Sequence, residues 1–215
     1  MFRFETEARD NGYTAIAGVD EVGRGPIAGP VVAAAVILPT LDEASVPGVN
    51  DSKTLSARRR EELAIELRNL PGIRIGLGVV EAPEIDRLNI LQATYAAMRT
   101  ALEQLSPPPD FALVDGNPVP DLPVPSTSIV RGDGRSASIA AASIIAKVTR
   151  DRVMSDYDKI YEGYQFSEHK GYGTRRHLEA LRSLGPTEIH RRSFAPVSRI
   201  INGGYYQPEL EIQPQ

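Results

Sequence analysis

The sequence predicts an α/β domain built on a mixed β-sheet. Three observations carry this. Short apolar, β-branched runs are interleaved with longer segments of helical periodicity. The first two runs, Thr14–Val19 and Gly29–Leu38, are joined too tightly to be parallel, because a parallel crossover takes about a dozen residues or more. A long helical segment opens with the alanine-rich stretch SIAAASIIAK, which lets a helix approach a sheet closely.

Each element has its own signal. Thr14–Val19 (TAIAGV) reads as a first strand, Gly23-Arg24-Gly25-Pro26 as a tight turn, and Gly29–Leu38 (GPVVAAAVIL) as a second strand. Residues 39–54, rich in Pro, Gly, Asn, Asp and Ser, are expected to form a loop. Ser56–Asn69 places Leu63 and Leu67 at helical spacing among Arg and Glu, and Pro71-Gly72 ends that helix. Ile73–Val80 is a third strand. Pro83–Leu105 is helical with a break near Asn89, and Leu91, Tyr95, Met98 and Leu102 share one face until Pro107–Pro109 stop it. Phe111–Val114 is a fourth strand ending at Asp115-Gly116. Ser128–Val130 lies in a fifth, ending at Gly132-Asp133-Gly134. Helices follow over Ser136 to about Tyr161 and over Thr174–Leu184, the latter stopped by Gly185-Pro186. The tail over 202–215 is expected to fray.

With 215 residues, 41% hydrophobic and 24% charged, the chain suits a single domain over 1–215 with a sizeable core. Its longest apolar run, Val31–Leu38, is far short of the roughly 20 residues that span a bilayer, so no membrane association is expected. The segment MFRFETEARD lacks the apolar core of a signal peptide, and there is no cysteine for disulfides or thiolate metal sites. A cytoplasmic location is expected. The net charge of −4 argues against a nucleic-acid binder, which usually carries a basic footprint. The distribution is less adverse. Between His169 and Ile200, Lys170, Arg175, Arg176, Arg182, Arg191, Arg192 and Arg199 face only Glu179 and Glu188. That stretch fits either a solvated helix face or a surface for phosphates.

Three strand ends carry carboxylates: Asp20-Glu21, Asp115 and Asp133. If the first and fourth strands are parallel neighbours, their C-terminal ends share one edge, where open α/β sheets place their sites. Carboxylates gathered there repel one another unless a cation joins them. Oxygen-only ligands suit Mg²⁺ or Mn²⁺ rather than zinc. Asp before Gly is also ordinary turn chemistry, so Asp115 and Asp133 alone would read as turns. Asp20-Glu21 is the sharper signal, an apolar strand delivering two acids into a Gly-Arg-Gly turn. Adjacent strand residues point oppositely. Both acids can therefore serve one site only if the strand ends there or Glu21 contributes its carbonyl. The glycines 23, 25 and 29 imitate a dinucleotide-binding loop, but that loop needs a helix after it, and Val31–Leu38 reads as strand.

The segment AGVDEVGRGPIAGPVVAAAVIL closely resembles the N-terminal signature of type 2 ribonuclease H, ribonuclease HII. The resemblance continues through Asn50-Asp51-Ser52-Lys53, LNILQAT at 88–94, LVDGN at 113–117 and Gly132-Asp133. It goes on through AAASIIAKVTRD at 140–151, HKGYGT at 169–174 and HRRSFAPV at 190–197. It implies a ribonuclease H-like fold, a central five-stranded mixed sheet flanked by helices, with a C-terminal helical extension at about 160–200 that binds substrate. The family's metal-binding acids fall on Asp20, Glu21, Asp115 and Asp133, implying two divalent ions, Mn²⁺ or Mg²⁺, with Asp20 bridging them. The implied activity is hydrolysis 5′ to a ribonucleotide in RNA/DNA hybrids and at single ribonucleotides in duplex DNA, leaving 3′-hydroxyl and 5′-phosphate ends, in the service of ribonucleotide removal. Gly23-Arg24-Gly25 would contact the ribose 2′-hydroxyl, the group that separates RNA from DNA at one nucleotide. Tyr172 would stack on the following deoxyribose.

Lys53, Lys147, Arg150 and the basic run with Lys170 are candidate phosphate contacts, with solvated charge as the alternative for each. Ser143 and Lys147, one turn apart, are expected to support the site or touch substrate. His169, His177 and His190 read as substrate contacts or packing groups rather than metal ligands. Where many family members carry an acid and a serine, this chain has Ser138 and Ala140. No clamp-binding peptide is evident in the tail, and a monomer is expected. Two other readings are a type 3-like ribonuclease H preferring multi-ribonucleotide hybrids and a non-catalytic nucleic-acid-binding module. The first typically adds an N-terminal domain, and about sixteen residues precede the first motif here. The second has no reason to keep four acids that repel phosphate.

Overall fold

The computed structural model describes residues 1–39, 48–49 and 55–203. Lys53 with its Asn50–Lys53 motif, most of the expected 39–54 loop, and the tail from residue 204 lie outside the described residues.

The sheet has five strands: β1 (Ile16–Val22), β2 (Val31–Ile37), β3 (Arg74–Val80), β4 (Phe111–Asp115) and β5 (Ser126–Ile129). Their spatial order is β3-β2-β1-β4-β5. β1–β2 and β2–β3 are antiparallel, while β1–β4 and β4–β5 are parallel. The mixed sheet expected from the short β1–β2 link is thus present, and β1 is the hinge between its two halves. It runs further than expected. Pairing with β2 continues through Asp20↔Ala34, Glu21↔Ala33 and Val22↔Val32. The ladder supplied by β2 holds both acids in extended backbone, which hydrophobicity along β1 alone could not show.

Strand alternation divides the core. Ala34 and Val36 of β2 face α5 (Ala137–Ile160) and α2 (Ala57–Arg68), packing with Leu63, Leu67, Ala141 and Ile145. Ala33, Ala35 and Ile37 face α4 (Ile90–Glu103), packing with Ala97, Ala101 and Leu102. The helices lie very close. A Cβ on Gly78 would sit 1.9 Å from the carbonyl oxygen of Ala97, and one on Gly18 would sit 2.1 Å from the carbonyl carbon of Ser138. The break expected near Asn89 separates α3 (Ala82–Leu88) from α4: Asn89 has φ 71°, and its side chain accepts from the N–H groups of Leu91 and Gln92 as an N-cap. Leu91 departs from the expected buried stripe and is exposed.

The first helix has no counterpart in the sequence reading. α1 (Arg3–Asp10) is short, and it is anchored by Glu5, which is buried. Its Oε1 accepts from Ser136 Oγ at 2.6 Å, Ser138 Oγ at 2.7 Å and Ser138 N at 2.9 Å, at the N-terminus of α5. A carboxylate therefore reaches Ser138 from the far end of the sequence. Negative charge at this helix end is favoured by the helix dipole.

The C-terminal extension comprises α6 (Phe166–His169), α7 (Arg175–Leu184) and α8 (Ala195–Ile201). These pack with the end of α5 and the 27–28 segment around Met154, Phe166, Ile189, Leu178, Leu181 and Val197. No described helix is long and apolar enough to cross a membrane.

Candidate active site

Because β1 and β4 are parallel neighbours with Val19 opposite Val114, Asp20 and Asp115 both emerge at the C-terminal edge of the sheet. Asp20 is 7% exposed. Its carboxyl is held well above the usual range, first by burial, then by the charge of Glu21 and, more weakly, Asp115; a hydrogen bond from Ser143 opposes this. Glu21 is also raised, chiefly by burial, with Asp115 adding to it and Arg24 opposing. Arg24 Nη1 donates to Glu21 Oε1 at 3.3 Å. Since β1 does not end at Asp20, alternation sends the two side chains to opposite faces. Asp20 reaches toward Ser143 on α5, while Glu21 lies next to the Gly-Arg-Gly turn.

Asp115 holds the next acid in place. Its Oδ1 accepts from the main-chain N–H of Gly132 at 2.5 Å and of Asp133 at 3.4 Å. Asp133 sits on a short 3₁₀ turn (Gly132–Gly134) after β5 and is buried. Two clefts of about 180 Å³ flank the edge. One is lined by Glu21, Arg60, Asp133, Ser143 and Lys147. The other is lined by Glu21, Arg24, Thr94, Tyr95, Asp115 and Asn117. Glu21 is common to both. Among the described residues no three acidic or imidazole side chains are gathered closely enough to hold an ion by themselves. The donor set nonetheless fits a hard divalent cation, being oxygen throughout, and the strain on Asp20 is the kind such a cation relieves.

The turn that follows is clamped from beneath. Arg191, fully buried, donates from Nε to Gly29 O at 3.0 Å, from Nη1 to Arg24 O at 3.0 Å, and from Nη2 to Gly23 O and Gly29 O. Arg150, also fully buried, donates to the carbonyls of Pro30, Lys170 and Ala28. Gly23 has φ +95°, and a Cβ there would lie 2.3 Å from Arg150 Nε. Expected phosphate contacts at Arg150 and Arg191 are therefore corrected. Their guanidiniums point inward because the turn's carbonyls, cut off from water, need donors. Burial pushes Arg191 down to about 9, with Arg150 nearby adding to the effect.

Tyr172 is 47% exposed, and its ring edge borders the turn: a Cβ on Gly25 would be 3.5 Å from Tyr172 Cε1. The Gly-Arg-Gly turn and the HKGY segment, far apart in sequence, are thus side by side. Lys147 pairs with Asp151 at 2.7 Å and lines the first cleft. Lys170 Nζ donates to Ser155 Oγ at 3.1 Å and turns toward α5. The three histidines pack together, His177 and His190 being buried. Arg60, Thr94 and Asn117 were not singled out from sequence, and Tyr95 was read only as part of a helix face. Asn117 stands in the LVDGN string and could have been found there; Arg60 is indistinguishable from the solvated charges around it in α2.

The family model described as Ribonuclease HII matches residues 17–197. The ribonuclease HII of Geobacter sulfurreducens is 57% identical over 198 residues, spanning 92% of this chain and 89% of that protein. The chain belongs to the ribonuclease HII family. It is accordingly a hydrolase, an endoribonuclease H. Ribonucleases H act on RNA/DNA hybrids and generally use divalent metal ions. The crystal structure of ribonuclease H2 from Pyrococcus horikoshii superposes with a TM-score of 0.75 at 26% identity, covering 88% of this chain and 98% of that one. Bst-RNase HIII, solved with Mn²⁺, has a TM-score of 0.67 at 18% identity over 91% of this chain and 71% of that one, a likeness of fold. The ribonuclease H-like fold expected from the motifs is the fold observed.

Proposed function

We propose that this ribonuclease HII hydrolyses the phosphodiester 5′ to a ribonucleotide, both in RNA/DNA hybrids and at single ribonucleotides embedded in duplex DNA, and so serves ribonucleotide removal. The observation that carries this is the sharing of one edge. The acids at the end of β1 adjoin the turn that would read the sugar, and Glu21 is bonded directly to Arg24 of that turn.

Asp20, Asp115 and Asp133 through their side chains, and Glu21 through its main-chain carbonyl since β1 runs on past it, would hold two divalent ions, Mg²⁺ or Mn²⁺. Such ions supply an activated water and charge neutralisation at the leaving oxygen of a phosphodiester. Ser143 on α5 would steady Asp20, whose charged form it favours. The carbonyls of Gly23 and Arg24 are taken by Arg191, which leaves the outer side of the turn to approach a ribose. Glycine at 25 leaves that approach unobstructed, since only the Tyr172 ring lies within 4 Å of a Cβ placed there. The Tyr172 ring would meet the next sugar, and an added 2′-hydroxyl would crowd it. Lys147, Arg60 and Arg24, lining the clefts, would bind flanking phosphates. The C-terminal helices would form the substrate-binding extension that carries Tyr172.

The test uses duplexes with no, one or four ribonucleotides, each with Mg²⁺, Mn²⁺ or chelator. Cleavage on the 5′ side of a lone ribonucleotide, abolished by chelator, is expected. Cleavage confined to the four-ribonucleotide duplex, or cleavage of pure DNA, would refute the proposal.

A further inference from the structure

The exposed ring of Tyr172 stands on a main chain held by buried histidines, and the polarity of their hydrogen bonds can be worked out. At one end, the Thr187 main-chain N–H points to His190 Nδ1 at 3.0 Å. An amide N–H can only donate, so Nδ1 of His190 is the acceptor and its proton resides on Nε2. That Nε2 lies 3.0 Å from His177 Nε2. His190 therefore donates, and His177 accepts at Nε2 and carries its proton on Nδ1. At the other end, His177 Nδ1 is 2.8 Å from the Tyr172 carbonyl oxygen, which can only accept. The chain closes without conflict in one direction only, Thr187 to His190 to His177 to Tyr172.

The surroundings keep both rings uncharged. Burial pushes His177 down to about 3 and His190 down to about 4, with His169 next to both and Arg192 next to His190 acting in the same sense. A proton on His177 Nε2 would face the N–H of His190 and break the chain. His169 stacks on His177 at 4.3 Å between ring centroids. Its tautomer is also set by main-chain groups: Nδ1 accepts from Gly171 N, so Nε2 donates to Tyr164 O at 2.8 Å.

We propose that His177 and His190 are positioning residues, a one-way relay of neutral tautomers that fixes the Tyr172 main chain and so aims its ring beside the Gly-Arg-Gly turn. The functional part rests on the reading of Tyr172 as the group that meets the sugar after the ribonucleotide.

Two measurements test it. Long-range ¹⁵N–¹H correlation spectra of the intact protein near neutral pH should show His177 protonated at Nδ1 and His190 at Nε2. The opposite tautomer or a cation at either ring overturns the relay, and no variant is needed to see it. Kinetics supply the second. His177→Asn keeps a donor in the place of Nδ1, whereas His177→Phe does not. The ratio of kcat/KM for a lone ribonucleotide over a four-ribonucleotide duplex should fall about tenfold in His177→Phe, the upper range for one net hydrogen bond, and stay within about threefold of the parent in His177→Asn. Equal losses on both substrates, or equal loss in both variants, overturn the positioning role. If Tyr172→Ala leaves the ratio unmoved while the tautomers are as stated, the relay is supported and only the assignment of the ring falls.

Discussion

Gly18→Ala adds one methyl group where β1 and α5 touch. That carbon would lie 2.1 Å from Ser138 C, 2.2 Å from Ile139 N and 2.5 Å from Ser138 O, all main-chain atoms. Ordinary contact begins at 3.4 Å, so α5 must retreat by about 1.3 Å, the difference between 3.4 and 2.1. Overpacking of a core costs typically about 1–3 kcal/mol, and the upper end applies because no side chain can swing aside. For a domain of this size that lowers the melting temperature by roughly 6–12 °C. The same retreat moves Ser143 away from Asp20, and misplacement by about 1 Å can cost on the order of 100-fold in rate. Thermal unfolding by circular dichroism should show the first effect. Single-turnover cleavage of a ribonucleotide-containing duplex, at least 20 °C or so below the melting point, should show the second. A variant that melts within about 2 °C of the parent and cleaves at the parental rate would refute the close-packing argument and the dependence of the site on the seat of α5.

Asp20→Asn should abolish cleavage and, without metal, raise stability near neutral pH. A carboxyl raised in the folded state contributes stability below its unfolded value of about 3.8 and loses it as pH rises through the folded value, so the variant's advantage should grow from about pH 4 toward neutrality. Chemical denaturation at several pH values checks this; an advantage that shrinks as pH rises would contradict it. Added Mn²⁺ should raise the melting temperature of the parent more than that of this variant. Arg191→Lys keeps the charge but cannot reach the carbonyls of Gly23, Arg24 and Gly29 together, and a loss of about 1–3 kcal/mol is expected, with faster amide exchange over 23–30. Unchanged exchange there would mean the turn is held by other contacts. Glu5→Ala removes three hydrogen bonds at the start of α5 and should cost about 1.5–3 kcal/mol in urea unfolding; a negligible change would show that α1 is not anchored through this carboxylate.

Much of the molecule is legible in one dimension because it depends on neighbours along the chain. The alternation of β2, the capping Asn89 and the alanine-rich start of α5 each announce an element locally. Asp20-Glu21 beside Gly23-Arg24-Gly25 announce a site, because chemistry and backbone freedom coincide within six residues. The motifs added the family, and with it the expectation that Asp115, Asp133 and Tyr172, which alone would read as turn residues and a surface aromatic, belong to the site. What stayed hidden depends on groups far apart in sequence. Arg150 and Arg191 look like phosphate contacts until the carbonyls of Gly23, Arg24 and Lys170 are found beneath the surface, short of water and in need of donors. Glu5 looks solvated until Ser136 and Ser138 meet it. The length of β1 was set by β2, and with it the opposed directions of Asp20 and Glu21. Residue type and order along the chain told which groups are available for chemistry at the sheet edge. Which charges stay at the surface and which hold the backbone came from the packed fold, because burial, and not residue type, decides what a guanidinium or a carboxylate must bind.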